Sequence, residues 1–162
     1  MHTLRILIAS SDRVAASKIE GLVLDACFDR AEVECKYTPH LADIENVTRV
    51  GWPNLIIVSP DHLLVPSGQR AFRQIMSESL QLISRIRKET LLPFIAFSVS
   101  EHDTMRVFDA GADAVFGPFW DGDQFKNELD RLLRLPAKAD DPAQPARWQF
   151  LSSFFKGLTL AR

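Results

Sequence analysis

The sequence predicts an α/β fold: a doubly wound sheet of five parallel strands, each followed by a helix, with an extra helix at the C-terminus. Three observations carry that expectation. Five short apolar runs recur along the chain. Each is followed by a segment whose apolar residues return at helical spacing. The runs are short and rich in branched residues, as when helices cover both faces of a parallel sheet. Right-handed crossovers then wind the helices onto both faces.

The first run, LRILIAS, reads as a buried strand, and MHTLRILIAS is too short and poorly arranged to be a secretory leader. Ala15, Ile19, Leu22, Val23 and Ala26 then share one helical face, with Ser10, Ser11 and Asp12 as candidate N-caps. AEVECKY alternates weakly and suits a second strand that Thr38 and Pro39 end; HLADIENVTRV suits a short helix. NLIIVS is the least ambiguous strand. PDHLLVPSG is a loop, with two prolines and a glycine. The long helical segment 69–90 has a buried stripe of Phe72, Ile75, Met76, Ser79, Ile83 and Ile86. PFIAFSVS is the fourth strand. Ser100 and Asp103 form a capping-box pattern before a helix that turns Met105, Phe108 and Ala112 inward. DAVFG is the fifth strand, and Asp121 with Gln124 repeats the capping pattern before a helix bearing Phe125, Leu129, Leu132 and Leu133.

The remainder changes character. Residues 136–146 are rich in Pro, Ala and Asp and read as a linker. In RWQFLSSFFKGLTL, Trp148, Leu151, Phe155 and Leu158 fall at three-four-three spacing, so 147–162 reads as an amphipathic helix. Gly157 weakens its last turn.

Composition excludes several function classes. The 162 residues suffice for one domain with a proper core. The formal net charge of −2 lacks the basic excess of a nucleic-acid binder. No apolar run has the length of a membrane span. Cys27 and Cys35 make neither a disulfide framework nor a zinc spacing, and read as reduced thiols of a cytoplasmic protein. His2, His40, His62 and His102 are scattered without metal spacing, and no Gly-rich phosphate loop is present. No metal and no cofactor are expected.

Doubly wound sheets place their sites at the carboxyl ends of the strands. Here those ends are Ser10–Asp12, Ser59–Asp61, Ser98–Ser100 and Gly117–Phe119.

On these blocks the chain resembles the receiver domain of two-component response regulators, a flavodoxin-like fold. The resemblance spans Leu4 to Leu135, within a receiver-like domain of residues 1–135, and rests on RILIASSD, PNLIIVS, LISRIRKETLLPFIAFS and FDAGADAVFGPF. Receivers transfer a phosphoryl group with two acids after the first strand, an aspartate after the third, a Ser or Thr after the fourth and a Lys before a Pro-Phe turn. The acids hold Mg²⁺, and metal and lysine offset the charge that develops on the phosphoryl oxygens. The resemblance puts the acid pair on Ser10 and Ser11, the phosphoacceptor on Ser59, the Ser/Thr on Ser98 and the lysine on Gly117. The family's switch aromatic falls near Ala114. Four of the five chemical positions have therefore lost their group. Asp12 and Asp61 stand one and two places beyond the missing acids; a helix cap and a solvated turn acid are their bland readings.

The expectation that follows is a pseudo-receiver that is not an enzyme and acts by contact with a protein partner in bacterial signalling. The resemblance implies an interaction face over the fourth helix, fifth strand and fifth helix, here Arg106, Asp109, Phe119, Trp120, Asp123 and Lys126. Trp148, Leu151, Phe155 and Leu158 are the candidate contacts of the tail, joining two copies as a homodimer or docking on a partner. Two alternatives stay open: a small neutral ligand in a hydroxyl-lined pocket of Ser10, Ser11, Ser59 and Ser98, and an atypical receiver that is still phosphorylated.

Overall fold

The computed structural model describes residues 3–65 and 72–135. Its strands are β1 (Thr3–Ala9), β2 (Glu32–Thr38), β3 (Leu55–Val58), β4 (Phe94–Ala96) and β5 (Ala114–Val115). Its helices are α1 (Arg13–Cys27), α2 (Leu41–Arg49), α3 (Phe72–Glu89), α4 (Thr104–Ala110) and α5 (Gly122–Leu133). All strand pairs are parallel, in the order β2-β1-β3-β4-β5. The expected alternation of strand and helix is therefore present in full.

Pleating divides the core into two layers. Ile6, Ile8, Ile57, Ile95, Phe97 and Phe116 turn to one face, where α1 and α5 cover them with Ile19, Val23, Phe125 and Leu129. Leu7, Ala9, Ile56, Val58 and Phe94 turn to the other, against Ile44 of α2 and Leu82, Ile83 and Ile86 of α3. Val107 and Phe108 of α4 close that layer beside Met76. Each large side chain buried this way contributes about 2–3 kcal/mol.

Several expectations shift. Ala16 and Cys27 complete the buried face of α1, while Ala15 and Leu22 are half-buried at its margin. β2 is not covered on both faces. It is an edge strand, with Glu32, Glu34 and Lys36 exposed. Met105 does not turn inward; it is 68% exposed, and Val107 takes the buried position. One 3₁₀ turn, Glu101–Asp103, precedes α4 and rotates the helix phase away from the simple count. Ser100 donates to the Asp103 carboxylate at 2.9 Å instead of capping a backbone amide. Of the α3 stripe, Met76, Ser79, Ile83 and Ile86 are buried and Ile75 is half-buried; the Phe72 side chain lies outside the described residues.

The α4–β5 turn needs its glycine. Gly111 caps α4 at φ 117°, a left-handed conformation costly for a side chain. A Cβ there would lie 2.8 Å from Cγ of Arg87, whose guanidinium bridges the Leu92 carbonyl and the Asp113 carboxylate.

Candidate functional site

The carboxyl ends of β1, β3, β4 and β5 bring Ser10, Ser59, Ser98 and Gly117 to one edge of the sheet. Their environments differ. Ser10 is wholly buried, and its Oγ accepts from the Asp12 amide at 3.0 Å. Ser11 and Asp12 are exposed. Asp12 is the N-cap of α1, its Oδ1 accepting from the amides of Val14 and Ala15 at 3.1 Å each. That carboxylate satisfies two orphan helix amides, so its position is explained by capping alone.

Ser59 is 1% exposed. Its amide donates to the Ala9 carbonyl and its Oγ lies 3.2 Å from Nδ1 of His62. The same Nδ1 lies 2.8 Å from the Asp61 carboxylate. A serine nucleophile is activated when its histidine uses one ring nitrogen for the serine and the other for the acid. Here both partners meet one nitrogen. With Asp61 and Ser59 on the same nitrogen, Nδ1 cannot be held by the acid and at the same time be free to take the serine's proton. The cluster is a clasp, not a triad. From sequence alone His62 reads as a surface residue beside the pocket; its side chain is 38% exposed, and the tight turn that donates the His62 amide to the Ser59 carbonyl brings its Nδ1 to Ser59.

The clasp belongs to a strap, Pro60–Val65, laid across the end of β1. The His62 carbonyl accepts from the Ser11 amide. Leu64 forms a parallel bridge with His40, donating to the Pro39 carbonyl at 2.7 Å and accepting from the Leu41 amide at 3.0 Å. Leu63 and Val65 are buried in the layer between β1, β3 and α2. Alternating in-out placement of Leu63, Leu64 and Val65 thus pins the strap by core burial as well as by backbone bonds.

Ser98 adopts φ 57°, left-handed for a residue with a Cβ. Gly117 has its φ outside that region, and a Cβ added to it would meet the Val99 carbonyl at an ordinary 3.7 Å. The position that the resemblance assigns to lysine therefore has room for a side chain. Ala114 is wholly buried on β5. Among the described residues, no three of His, Cys, Asp and Glu cluster so as to hold a metal, and no helix is long and apolar enough to cross a membrane.

The six residues expected on one interaction face are divided. Arg106 pairs with Asp103 at 2.9 Å, and with Asp109 it lines an open groove of about 630 Å³ against Leu80, Gln81, Arg85 and Lys88 of α3. Phe119 is fully exposed in the β5–α5 turn. Trp120 turns instead toward α1, its ring 5.6 Å from that of Phe125 and 4.5 Å from Nζ of Lys18. Lys126 pairs with Asp25 of α1. Asp123 is exposed in the first turn of α5, its amide held by the N-cap Asp121 at 2.8 Å. The α1–α5 seam thus claims two of the six. Trp148, Leu151, Phe155 and Leu158 lie outside the described residues. Cys27 and Cys35 are unbridged.

No protein-family model and no curated protein sequence matches the chain. Solved structures do. A receiver domain of a DNA-binding response regulator (merR) from Colwellia psychrerythraea matches at TM-score 0.60 and 17% identity, covering 81% of this chain and 98% of that one. The HemR receiver domain from Leptospira biflexa matches at TM-score 0.57 and 19% identity, covering 83% and 98%. A chain assigned to pilus assembly (CpaE) from Burkholderia thailandensis matches at TM-score 0.58 and 16% identity, covering 81% and 98%. Identities this low establish the fold, and that fold is the one receiver domains have.

Proposed function

We propose that this chain is a phosphorylation-independent pseudo-receiver, a protein–protein interaction module of bacterial signalling. One observation carries the reading: serines occupy all three positions where a receiver needs carboxylates, Ser10, Ser11 and Ser59. A hydroxyl can neither form an acyl phosphate nor supply the anionic oxygens that Mg²⁺ prefers. The nearby acids do not substitute, because Asp12 caps α1 and Asp61 is held by His62. The strap adds support, since Ser59 faces His62 and the Ser11 amide is already bonded to the His62 carbonyl. A small neutral ligand in the serine pocket is not favoured: the Ser10 and Ser59 hydroxyls are buried and engaged within the chain.

Contact with a partner is then the remaining route to an effect. The segment 147–162 is the part of the chain we assign to joining two copies, because helices cover both faces of the central strands β1, β3 and β4 without it. The direct test is incubation with acetyl phosphate and Mg²⁺, followed by intact mass. No acyl-phosphate adduct is expected, and beryllofluoride with Mg²⁺ should leave amide spectra unchanged. A base-labile, hydroxylamine-sensitive phosphoryl adduct would overturn the reading.

A further inference from the structure

Helix α1 has a buried face and a second, outward face that carries no charge. Ile19, Val23 and Ala26 point into the core. The outward stripe is Val14, Ser17, Gly21, Leu24 and Phe28, at three-four-three-four spacing, and every member is exposed. Its large members are apolar: Val14 is 82%, Leu24 48% and Phe28 69% exposed. Its small members, Ser17 and Gly21, form a shallow saddle between Val14 and Leu24. A Cβ placed on Gly21 meets nothing within 4 Å, so the saddle is open. A serine in a helix can turn its hydroxyl back to the carbonyl one turn earlier, which lets Ser17 enter an apolar contact without an unsatisfied group. Most surface helices carry one apolar stripe, and a second at the 3.5-residue period is the seam of a helix pair. No described helix lies upon this one: α5 follows the flank marked by Leu22, Lys18 and Asp25.

We infer that the outer face of α1 is the docking surface for residues 147–162 of a second copy of this chain. The inference rests on the proposed role of that segment in joining two copies. Three features select this occupant. Trp148, Leu151, Phe155 and Leu158 repeat the spacing of the α1 stripe, so large residues of the tail can sit over the saddle of Ser17 and Gly21. The charges are complementary. Residues 147–162 carry Arg147, Lys156 and Arg162 with no acid, whereas Glu20 and Asp29 flank the stripe toward the negative end of α1. The linker, residues 136–146, is long enough to carry the tail to a second copy. Reciprocal exchange buries both stripes and closes the dimer.

The test uses the full-length chain in sedimentation over a concentration series. A dimer is expected. Leu24→Lys with Phe28→Lys should raise its dissociation constant on the order of a hundredfold, two hot-spot losses, and Leu151→Lys with Phe155→Lys should do the same. Lysine is a good helix former and suits the end of α1, so an unchanged melting curve of the monomer should accompany the loss. A dimer that the tail pair abolishes but the α1 pair leaves intact would overturn the α1 site and leave the tail's role standing. A dimer that only the α1 pair abolishes would mean that two α1 faces pair directly, which overturns both. A monomeric wild-type chain at all concentrations also overturns both.

Discussion

Ser59 Oγ lies 3.2 Å from Nδ1 of His62, and this contact fastens the strap over the end of β1. With Asp61 on the same nitrogen, the histidine ties the strap's own turn to the buried strand end. His62→Ala removes both contacts but leaves Leu63 and Val65 in the core and the Leu64 bridge intact. The expected cost is about 1–3 kcal/mol, because the buried Ser59 hydroxyl loses its partner along with the Asp61 contact. Hydrogen exchange at the Ser11 amide, bonded to the His62 carbonyl, should accelerate while that of Ser59 does not. Unaltered exchange at Ser11 would show that the backbone alone holds the strap.

Ser59→Asp by itself should not restore phosphorylation. The acid pair is still serine, and Gly117 still lacks an ammonium. Gly117→Lys is sterically allowed, its Cβ meeting only the Val99 carbonyl at an ordinary 3.7 Å, so the double variant should fold and still fail to label. Mg²⁺-dependent incorporation of phosphate from acetyl phosphate into either variant would show that Asp12 or Asp61 can serve as a metal ligand.

The glycines at 21 and 111 should respond in opposite directions. Gly111→Ala combines a left-handed φ with a 2.8 Å approach to Arg87, and should cost about 2 kcal/mol. Gly21→Ala lies in an exposed helix interior with space around it, and should stabilise the monomer by about 0.5–1 kcal/mol. Urea midpoints measure both; a neutral Gly111→Ala would mean that the α4–β5 turn relaxes around Arg87.

Burial pushes the Cys35 thiol up from 9.0 to about 11, with the Glu20 carboxylate and Cys27 adding to the rise. A raised folded pKa means that the unfolded chain loses its proton first. The stabilisation is therefore complete below pH 9 and is lost as pH rises toward 11. The neutral thiol of Cys27 is favoured in the same direction, mainly by burial. Stability should fall as pH rises from about 9 toward 11 from Cys35. Cys35→Val should flatten that part of the profile, and a wild-type profile that is already flat would rule out the effect.

Truncation after Leu135 should halve the solution mass and change the melting temperature little, because both layers of the core close within residues 3–135. A truncated chain of unchanged mass but much lower melting temperature would place the tail in the monomer's own core.

Local signals sufficed for the elements whose burial is continuous. LIIV is buried throughout, and LRILIA is buried at every position but Arg5, because apolar side chains fill both faces of each run. Asp12 caps α1 as its position before the apolar stripe implied. The residue identities on which the pseudo-receiver proposal rests, Ser10, Ser11, Ser59 and Gly117, are also read from the sequence alone. What tertiary structure decided depends on neighbours far along the chain. Met105 faces outward because a 3₁₀ turn shifts the helix phase, and Trp120 and Lys126 turn to α1 because it offers Lys18 and Asp25. The strap exists because Leu64 finds Pro39 and Leu41 across β1. Periodicity reports which side of an element is apolar, but two long polar side chains choose their partners only once packing has brought those partners within reach.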